Sequence, residues 1–426
     1  MSTATTSKVR TALVIGGGIA GPVVATALLK AGIQAAVYEA YPTLAEGIGG
    51  GLALAPNGLA ALGLIGADDA VRAIATPITG TVMAVGRNSR RLPSLAGVEP
   101  LQIVGRGDLH RVLHDRAAES GVRFEYGKRL VGAIEGPNSV TAKFDDGSTA
   151  TADVLIGADG VRSTVRTLID PEAPAAGYTG MLSFQGYVDA APGLDPEPGV
   201  MTFAFGERAY YLFWKMADGR VTWGANLPSK QYMSLTDARA IPAGQWLRTL
   251  RETYAGDLPG ELLANRTTAE NLDITGAIHI MPPVPHWHRG RMVLVGDAVH
   301  APSNSTGQGA SLAIESSIQL ARCLRDLPDA TSAFSAYEQL RRERVERITK
   351  RGARTNSAKT PGPVGRKAMH ALMPIFFKLM NFEKVMGREQ RYQIDWDAPA
   401  MDGTPAVGAQ ASSASPTLIG AIKIAP

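Results

Sequence analysis

The 426-residue sequence predicts a mixed α/β (α+β) fold: a parallel sheet flanked by helices, discontinuous in sequence, with an antiparallel sheet inserted into it and helices at the C-terminal end. Two observations carry this. Three apolar runs far apart in the chain, Thr11 to Ile15, Val154 to Gly157 and Arg291 to Val295, each empty into a short glycine- or aspartate-bearing turn. Between about Leu182 and Ile280 the helical periodicity gives way to aromatic-rich, strand-like segments.

The first run ends at Gly16-Gly17-Gly18-Ile19-Ala20-Gly21, a G-x-G-x-x-G spacing followed by a helix-compatible stretch, Ile19 to Lys30. Gly16 permits a tight turn, Gly18 lets a pyrophosphate approach the backbone, and Gly21 lets helix and strand pack closely. The next strand, Ile33 to Tyr38, ends at Glu39, whose carboxylate can accept hydrogen bonds from ribose hydroxyls and argues against a 2′-phosphate. Gly47 to Gly51 form a further glycine-rich turn, and a helix is expected over Pro56 to Leu64. Thr81 to Leu101 read as irregular and partly extended. Gly107-Asp108 is expected to cap a helix over Leu109 to Ser120, with Arg106 just before it. Short alternating strands follow at Arg123 to Tyr126, Leu130 to Glu135 and Ser139 to Phe144.

The second run ends at Gly157-Ala158-Asp159-Gly160, the third at Gly296-Asp297 ahead of a helix over Gly309 to Arg325. Between them lie the strands Leu182 to Val188, Val200 to Phe205, Ala209 to Met216 and Arg220 to Asn226, with one helical interruption at Ile241 to Tyr254. The expected units are a nucleotide-binding domain at 8–75, 102–180 and 286–355, a substrate-binding sheet domain at 76–101 and 181–285, a helical segment at 356–400 and a disordered tail at 403–426. Three such strand-to-turn junctions point to one bound dinucleotide, FAD.

Composition narrows the classes. The lone Cys323 excludes internal disulfides and multi-cysteine metal sites, and is expected to be a buried apolar thiol. His286-Trp287-His288 lacks the acid or cysteine partners of a ligand set, so no metal is expected. Net charge is only +4, and the basic stretch Arg341 to Arg347 interleaves acids, which suits a solvated helix face and not nucleic acid. No run approaches the roughly 20 apolar residues of a transmembrane span, and the polar start lacks a secretory segment, so a cytoplasmic protein, monomeric or homodimeric, is expected. Met369 to Met386 is rich in apolar residues and is expected to pack on the core.

Over residues 10 to 350 the order of motifs resembles the group A flavoprotein monooxygenases, the single-component aromatic hydroxylases: G-x-G-x-x-G at 16–21, an Arg before a helix at Arg106, the Asp159-Gly160 motif, then Gly296-Asp297 with Gly307-Gln308-Gly309. The resemblance implies a Rossmann-like FAD domain, FAD as cofactor, NAD(P)H as co-substrate, and O2 as source of the oxygen atom passed to an aromatic small molecule. It implies cofactor contacts at Gly16, Gly18, Ala20, Gly21, Glu39, Gly50, Arg106, Val131, Asp159, Asp297, Gly307, Gly309 and Ala310, with Arg162 and Arg166 as further candidates toward the reductant. No side chain is assigned a catalytic role.

One stretch departs from the pattern: Ala301 to Thr306 lacks the usual second proline before the G-Q-G turn. Epoxidation and Baeyer–Villiger insertion remain open on the same fold, as does a silent flavin-binding protein; the W-x-W-x-I-P signature of halogenases is absent. Substrate contact is expected at Gln185 and Tyr210, in a pocket drawn from Phe184, Phe203, Phe205, Tyr210, Tyr211, Phe213, Trp214 and Trp223, about half of which must face elsewhere.

Overall fold

The computed structural model describes residues 8–44, 50–86, 88–357 and 383–400. The expected turn at Gly47 to Gly51 and the expected apolar segment at Met369 to Met386 therefore lie partly outside the described residues, and the tail at 403–426 lies wholly outside them.

A six-stranded sheet runs in the order His288–Arg289, Met292–Leu294, Val154–Gly157, Thr11–Ile15, Gln34–Tyr38, Arg123–Glu125. All its pairings are parallel except the edge pair His288–Arg289 with Met292–Leu294. Register explains why distant motifs converge: Ile15 pairs with both Gly157 and Tyr38, and Gly157 pairs with Leu294. The four strands end level, so the Gly16 loop, Glu39, Asp159 and Asp297 emerge from one edge, where open α/β sheets bind ligands. The strand at Arg123–Glu125 joins this parallel sheet instead of the antiparallel sheet formed by Leu130–Glu135, Val140–Phe144 and Thr149–Ala152.

Helices α1 (Ala20–Lys30), α2 (Pro56–Gly63), α3 (Asp68–Ile74), α4 (Arg106–Glu119) and α5 (Thr164–Ile169) belong to this half of the chain. Helix α4 begins at Arg106 itself, three residues before the expected start. Gly105, at the end of the strand Leu101–Gly105, takes the cap position with extended backbone, so Gly107-Asp108 fall inside the first turn, where Asp108 still complements the dipole.

The second large sheet has seven strands in the order Leu272–Ile280, Gly177–Val188, Val221–Pro228, Tyr210–Lys215, Val200–Phe205, Gly80–Val85, Asn88–Arg91. Its far face is covered by α6 (Leu235–Ala240), α7 (Ala243–Tyr254) and α8 (Gly260–Arg266), three helices where the sequence suggested one. Finally α9 (Gly309–Asp326) packs against both α1 and α10 (Ala330–Ser357), with its Cys323 buried and the thiol pushed up to about 12 by burial. Residues 388–400 return along this pair: Arg322 donates to the carbonyls of Ala398 and Pro399, and Gln319 to the Tyr392 hydroxyl.

The arginine-rich face of α10 is not uniformly solvated. Arg342, Glu346 and Arg347 follow the expected surface pattern of i,i+4 pairs. Arg341 and Arg344 turn inward and are buried.

Candidate active site

The Gly16 loop is built from positions where a side chain is excluded for different reasons. Gly16 has φ +104°, and a Cβ there would lie 2.5 Å from the Ala158 carbonyl oxygen; one on Gly21 would lie 1.9 Å from the Gly16 oxygen. A Cβ on Gly18 would meet nothing within 4 Å, because this position faces open cavity. The first turn of α1 has no side-chain cap, so its N–H groups stay available to an anion. Glu39 accepts from the amides of Gly17 at 2.6 Å and Tyr41 at 3.0 Å, which orients its carboxylate beside the loop and leaves lone pairs for a hydroxyl donor.

Above these strand ends lies a cavity of about 1450 Å³. Gly18, Ala20, Gly50, Arg106, Asp297, Gly307, Gly309 and Ala310 line it together with Gln185 and Tyr210. The volume exceeds the roughly 300–1,000 Å³ usual for one small molecule, which leaves room for a dinucleotide and a second ligand.

The cavity wall carries the charged side chains Glu99, Arg106, Asp297, Arg351 and Arg354, and Arg106 acts on Asp297 and on His110. Burial raises the Asp297 carboxyl, and Arg106 opposes that rise. His110, one helical turn after Arg106 on α4, is lowered to about 4 by burial and by the same guanidinium, so it is a neutral imidazole at pH 7. The sequence reading passed over His110, though its i,i+4 spacing from Arg106 was available as a signal.

The stretch 301–306 forms a closed turn despite its unusual sequence. The Ser303 hydroxyl accepts from Ser305 N, Asn304–Thr306 make a 3-10 turn, and Gly307 follows at φ +60°. Gln308 N donates to Thr306 Oγ1 at 3.0 Å, and α9 then starts without a side-chain cap, its first residues Gly309 and Ala310 on the cavity wall. Such an N-terminus offers amides and positive dipole to negative charge.

Several expected contacts are placed elsewhere. Asp159 is committed to its own turn, accepting from Ser163 Oγ at 2.5 Å, Thr164 N at 2.7 Å and Val165 N at 3.1 Å; burial still raises its pKa. Arg166 is buried and donates to the carbonyls of Ala298 and Val161, stapling the Asp159-Gly160 turn to the Gly296-Asp297 turn. Its guanidinium is thus unavailable to a reductant, because it satisfies buried main-chain acceptors. Arg162 reaches outward to the Tyr232 hydroxyl at 3.1 Å. Val131 is 57% exposed and off the cavity wall, just past the Gly127-Lys128 loop that bonds to the carbonyls of Tyr41 and Glu39.

Strand parity sorts the aromatic residues. Met201, Phe203 and Phe205 on one strand and Tyr210, Leu212 and Trp214 on the next face the cavity, while Tyr211, Phe213 and Trp223 pack against the helices on the other side. Phe184 meets Trp246 of α7 as a tilted ring pair, centroids 4.9 Å apart. Gln185 lines the cavity and also accepts from Gly51 N at 2.7 Å, so it ties the seven-stranded sheet to the Gly51–Leu54 strand.

A glycine cradle, an uncapped helix end and a ribose-ready acid on adjoining strand ends fit a flavin dinucleotide, and comparison with known proteins agrees. A family described as FAD binding domain matches residues 9–352. The chain belongs to this family of FAD-dependent monooxygenases. The monooxygenase is 30% identical over 343 residues to the Aurachin C monooxygenase/isomerase of Stigmatella aurantiaca, covering 79% of this chain and 86% of that protein. It is 30% identical over 354 residues to a FAD-dependent urate hydroxylase of Klebsiella pneumoniae, covering 78% and 86%. Klebsiella pneumoniae HpxO solved with FAD and uric acid superposes with a TM-score of 0.78 at 25% identity, over 91% of this chain and 98% of that one. FAD is the cofactor, and NAD(P)H is the co-substrate typical of the family. Among the described residues, no helix of the monooxygenase is long and apolar enough to cross a membrane.

Proposed function

We propose that this monooxygenase hydroxylates a neutral, largely apolar aromatic or polycyclic molecule held against the seven-stranded sheet, with NAD(P)H as reductant, in the cytoplasm. One observation carries the substrate class: the strands of that sheet contribute Met83, Met201, Phe203, Leu212 and Trp214 to the cavity, and no Asp, Glu, Lys or Arg. A small carboxylate would find no Lys or Arg on this wall, since the cavity's Arg351 and Arg354 stand on α10, whereas a flat apolar ring system gains about 25 cal/mol per Å² it buries.

Bound FAD supplies the redox chemistry and the activation of O2. The chain's residues bind, orient and exclude water. In this reading the amides of α1 and the open face of Gly18 hold the pyrophosphate, Glu39 a ribose, Asp297 and Arg106 the ribityl region, and the amides of Gly309 and Ala310 stabilise negative charge at the pyrimidine edge. Neutral His110 adds no charge there. Gln185 and Tyr210 offer polar groups to an otherwise apolar ligand.

The test is NADPH and NADH oxidation by the FAD-loaded protein against a panel of polycyclic phenols and small benzoates, with product mass measured. Stimulation by the neutral polycycles with gain of one oxygen atom supports the reading. Tight binding and efficient turnover of a small anionic benzoate would overturn it.

A further inference from the structure

Behind the G-Q-G turn lies a buried polar relay that the reaction itself does not use. The Asn57 amide of α2 and the Gln308 side chain form a reciprocal pair, Asn57 Nδ2 donating to Gln308 Oε1 at 2.9 Å and Gln308 Nε2 to Asn57 Oδ1 at 3.3 Å. Asn57 Nδ2 also donates to Glu315 Oε1 at 2.6 Å. Glu315, on the second turn of α9, is fully buried and accepts a two-pronged bond from Arg344 at 2.8 and 2.9 Å, with Arg341 ion-paired to it at 2.7 Å. Arg344 then donates to the Glu389 carbonyl and stacks over Tyr392 at 4.1 Å, while the Glu389 carboxylate pairs with Arg351. All four side chains from Asn57 to Arg344 are buried.

We infer that Asn57 and Glu315 are positioning residues for the flavin: they clamp Gln308 so that the amides of Gly309 and Ala310 keep a fixed place at the cofactor, with Arg344 anchoring the clamp to residues 389–392. A buried network of this size is costly wherever a member is left unsatisfied, and Arg341, which donates from Nε to Ser316 but meets Glu315 only as an ion pair, carries that cost. The network's geometry is directional, since the Asn57 amide has two hydrogens for the two acceptors it meets and one oxygen for the Gln308 donor. Two arginines against one carboxylate also leave net positive charge behind the turn, in line with the α9 dipole. Both favour electron density on a reduced flavin over an oxidised one. The inference rests on the FAD assignment and not on the proposed substrate.

The experiment uses the FAD-loaded protein with Asn57→Leu, Gln308→Met and the double variant, reading FAD affinity, the shape of the 450 nm band and the midpoint potential. The clamp predicts that each single variant binds reduced flavin about tenfold less tightly relative to oxidised, a fall of about 30 mV for a two-electron couple. The double variant should fall no further, because both changes cut one linkage. Unchanged potential and band shape in folded Asn57→Leu overturn the inference, as do fully additive shifts. If Asn57→Leu does not fold, Asn57→Ser, which keeps a shorter polar group, is read the same way with a smaller shift expected. A merely structural role would lower the melting temperature and leave the potential in place. None of these readouts depends on substrate, so failure here is separate from failure of the aromatic-hydroxylation assay.

Discussion

The six-stranded sheet gives the cavity its strand ends and main-chain amides, whereas the seven-stranded sheet gives it a face of side chains from Met201, Phe203, Tyr210, Leu212 and Trp214. The first kind of surface works by what is missing: at Gly16 and Gly21 a single added carbon collides with backbone, which cannot yield. The second works by what is present, and one apolar group can replace another at modest cost if volume is kept. A cofactor shared by a whole family suits the first surface, and a variable substrate suits the second.

The comparison is broken most directly at the glycines. Gly21→Ala and Gly16→Ala should abolish FAD retention through gel filtration and lower stability, since each forces a clash and Gly16 adds backbone strain of about 1–3 kcal/mol. Gly18→Ala has open space before it, so its stability should stay within about 0.5 kcal/mol of the parent. Its FAD affinity, followed by fluorescence titration, should nevertheless fall at least tenfold. Equal loss of stability in all three would mean that the loop is merely a tight turn.

Next in size is the buried carboxylate. Glu315→Gln leaves Arg341 and Arg344 uncompensated and should destabilise by about 3–5 kcal/mol in denaturant unfolding. The pH dependence has a definite sign. Burial alone would raise Glu315, but Arg344 and Arg341 override it and bring it to about 2, below the ordinary 4.5. Its contribution is therefore complete above pH 4.5 and is lost as pH falls toward 2. His300, lowered to about 3 by burial and by Arg341, likewise resists protonation when folded, so stability should begin to fall below pH 6.5. Glu315→Gln should remove the carboxylate's share of that acid slope, between pH 4.5 and 2, while the histidine share, between 6.5 and 3, persists.

How much of this was legible follows from the same contrast. Main-chain surfaces restrict residue type, so the G-x-G-x-x-G loop, Glu39 and Gly296-Asp297 could be read directly, and parallel register brings their strand ends level. Side-chain surfaces restrict only polarity. Period-two alternation told that Tyr210 and Tyr211 point apart, but which face met the cavity depended on α6, α7 and α8 covering the other, two of which carry too short a pattern to be found alone. Arg341 and Arg344 misled for a related reason. Their interleaved acids look like a surface face, and their true partner Glu315 lies 26 and 29 residues upstream on another helix, as the numbering and the contacts show. Asp159 and Arg166 had the right residue types beside the right motif, yet were taken up by local capping and stapling.

The finest test sets two adjacent tyrosines against each other. The Tyr211 hydroxyl accepts from Gly260 N at 3.2 Å and lies 3.5 Å from Asp257 Oδ1, on the helix-covered side. Tyr211→Phe should therefore cost about 1 kcal/mol of stability by orphaning a buried amide, with KM for the aromatic substrate unchanged. Tyr210 stands on the cavity wall, so Tyr210→Phe should shift that KM severalfold with a smaller change in melting temperature. The two variants keep ring volume and differ by one residue in register. If their effects on KM and stability were interchanged, the face assigned to the substrate would be the wrong one, and the apolar wall from Met201 to Trp214 would have to be read as core.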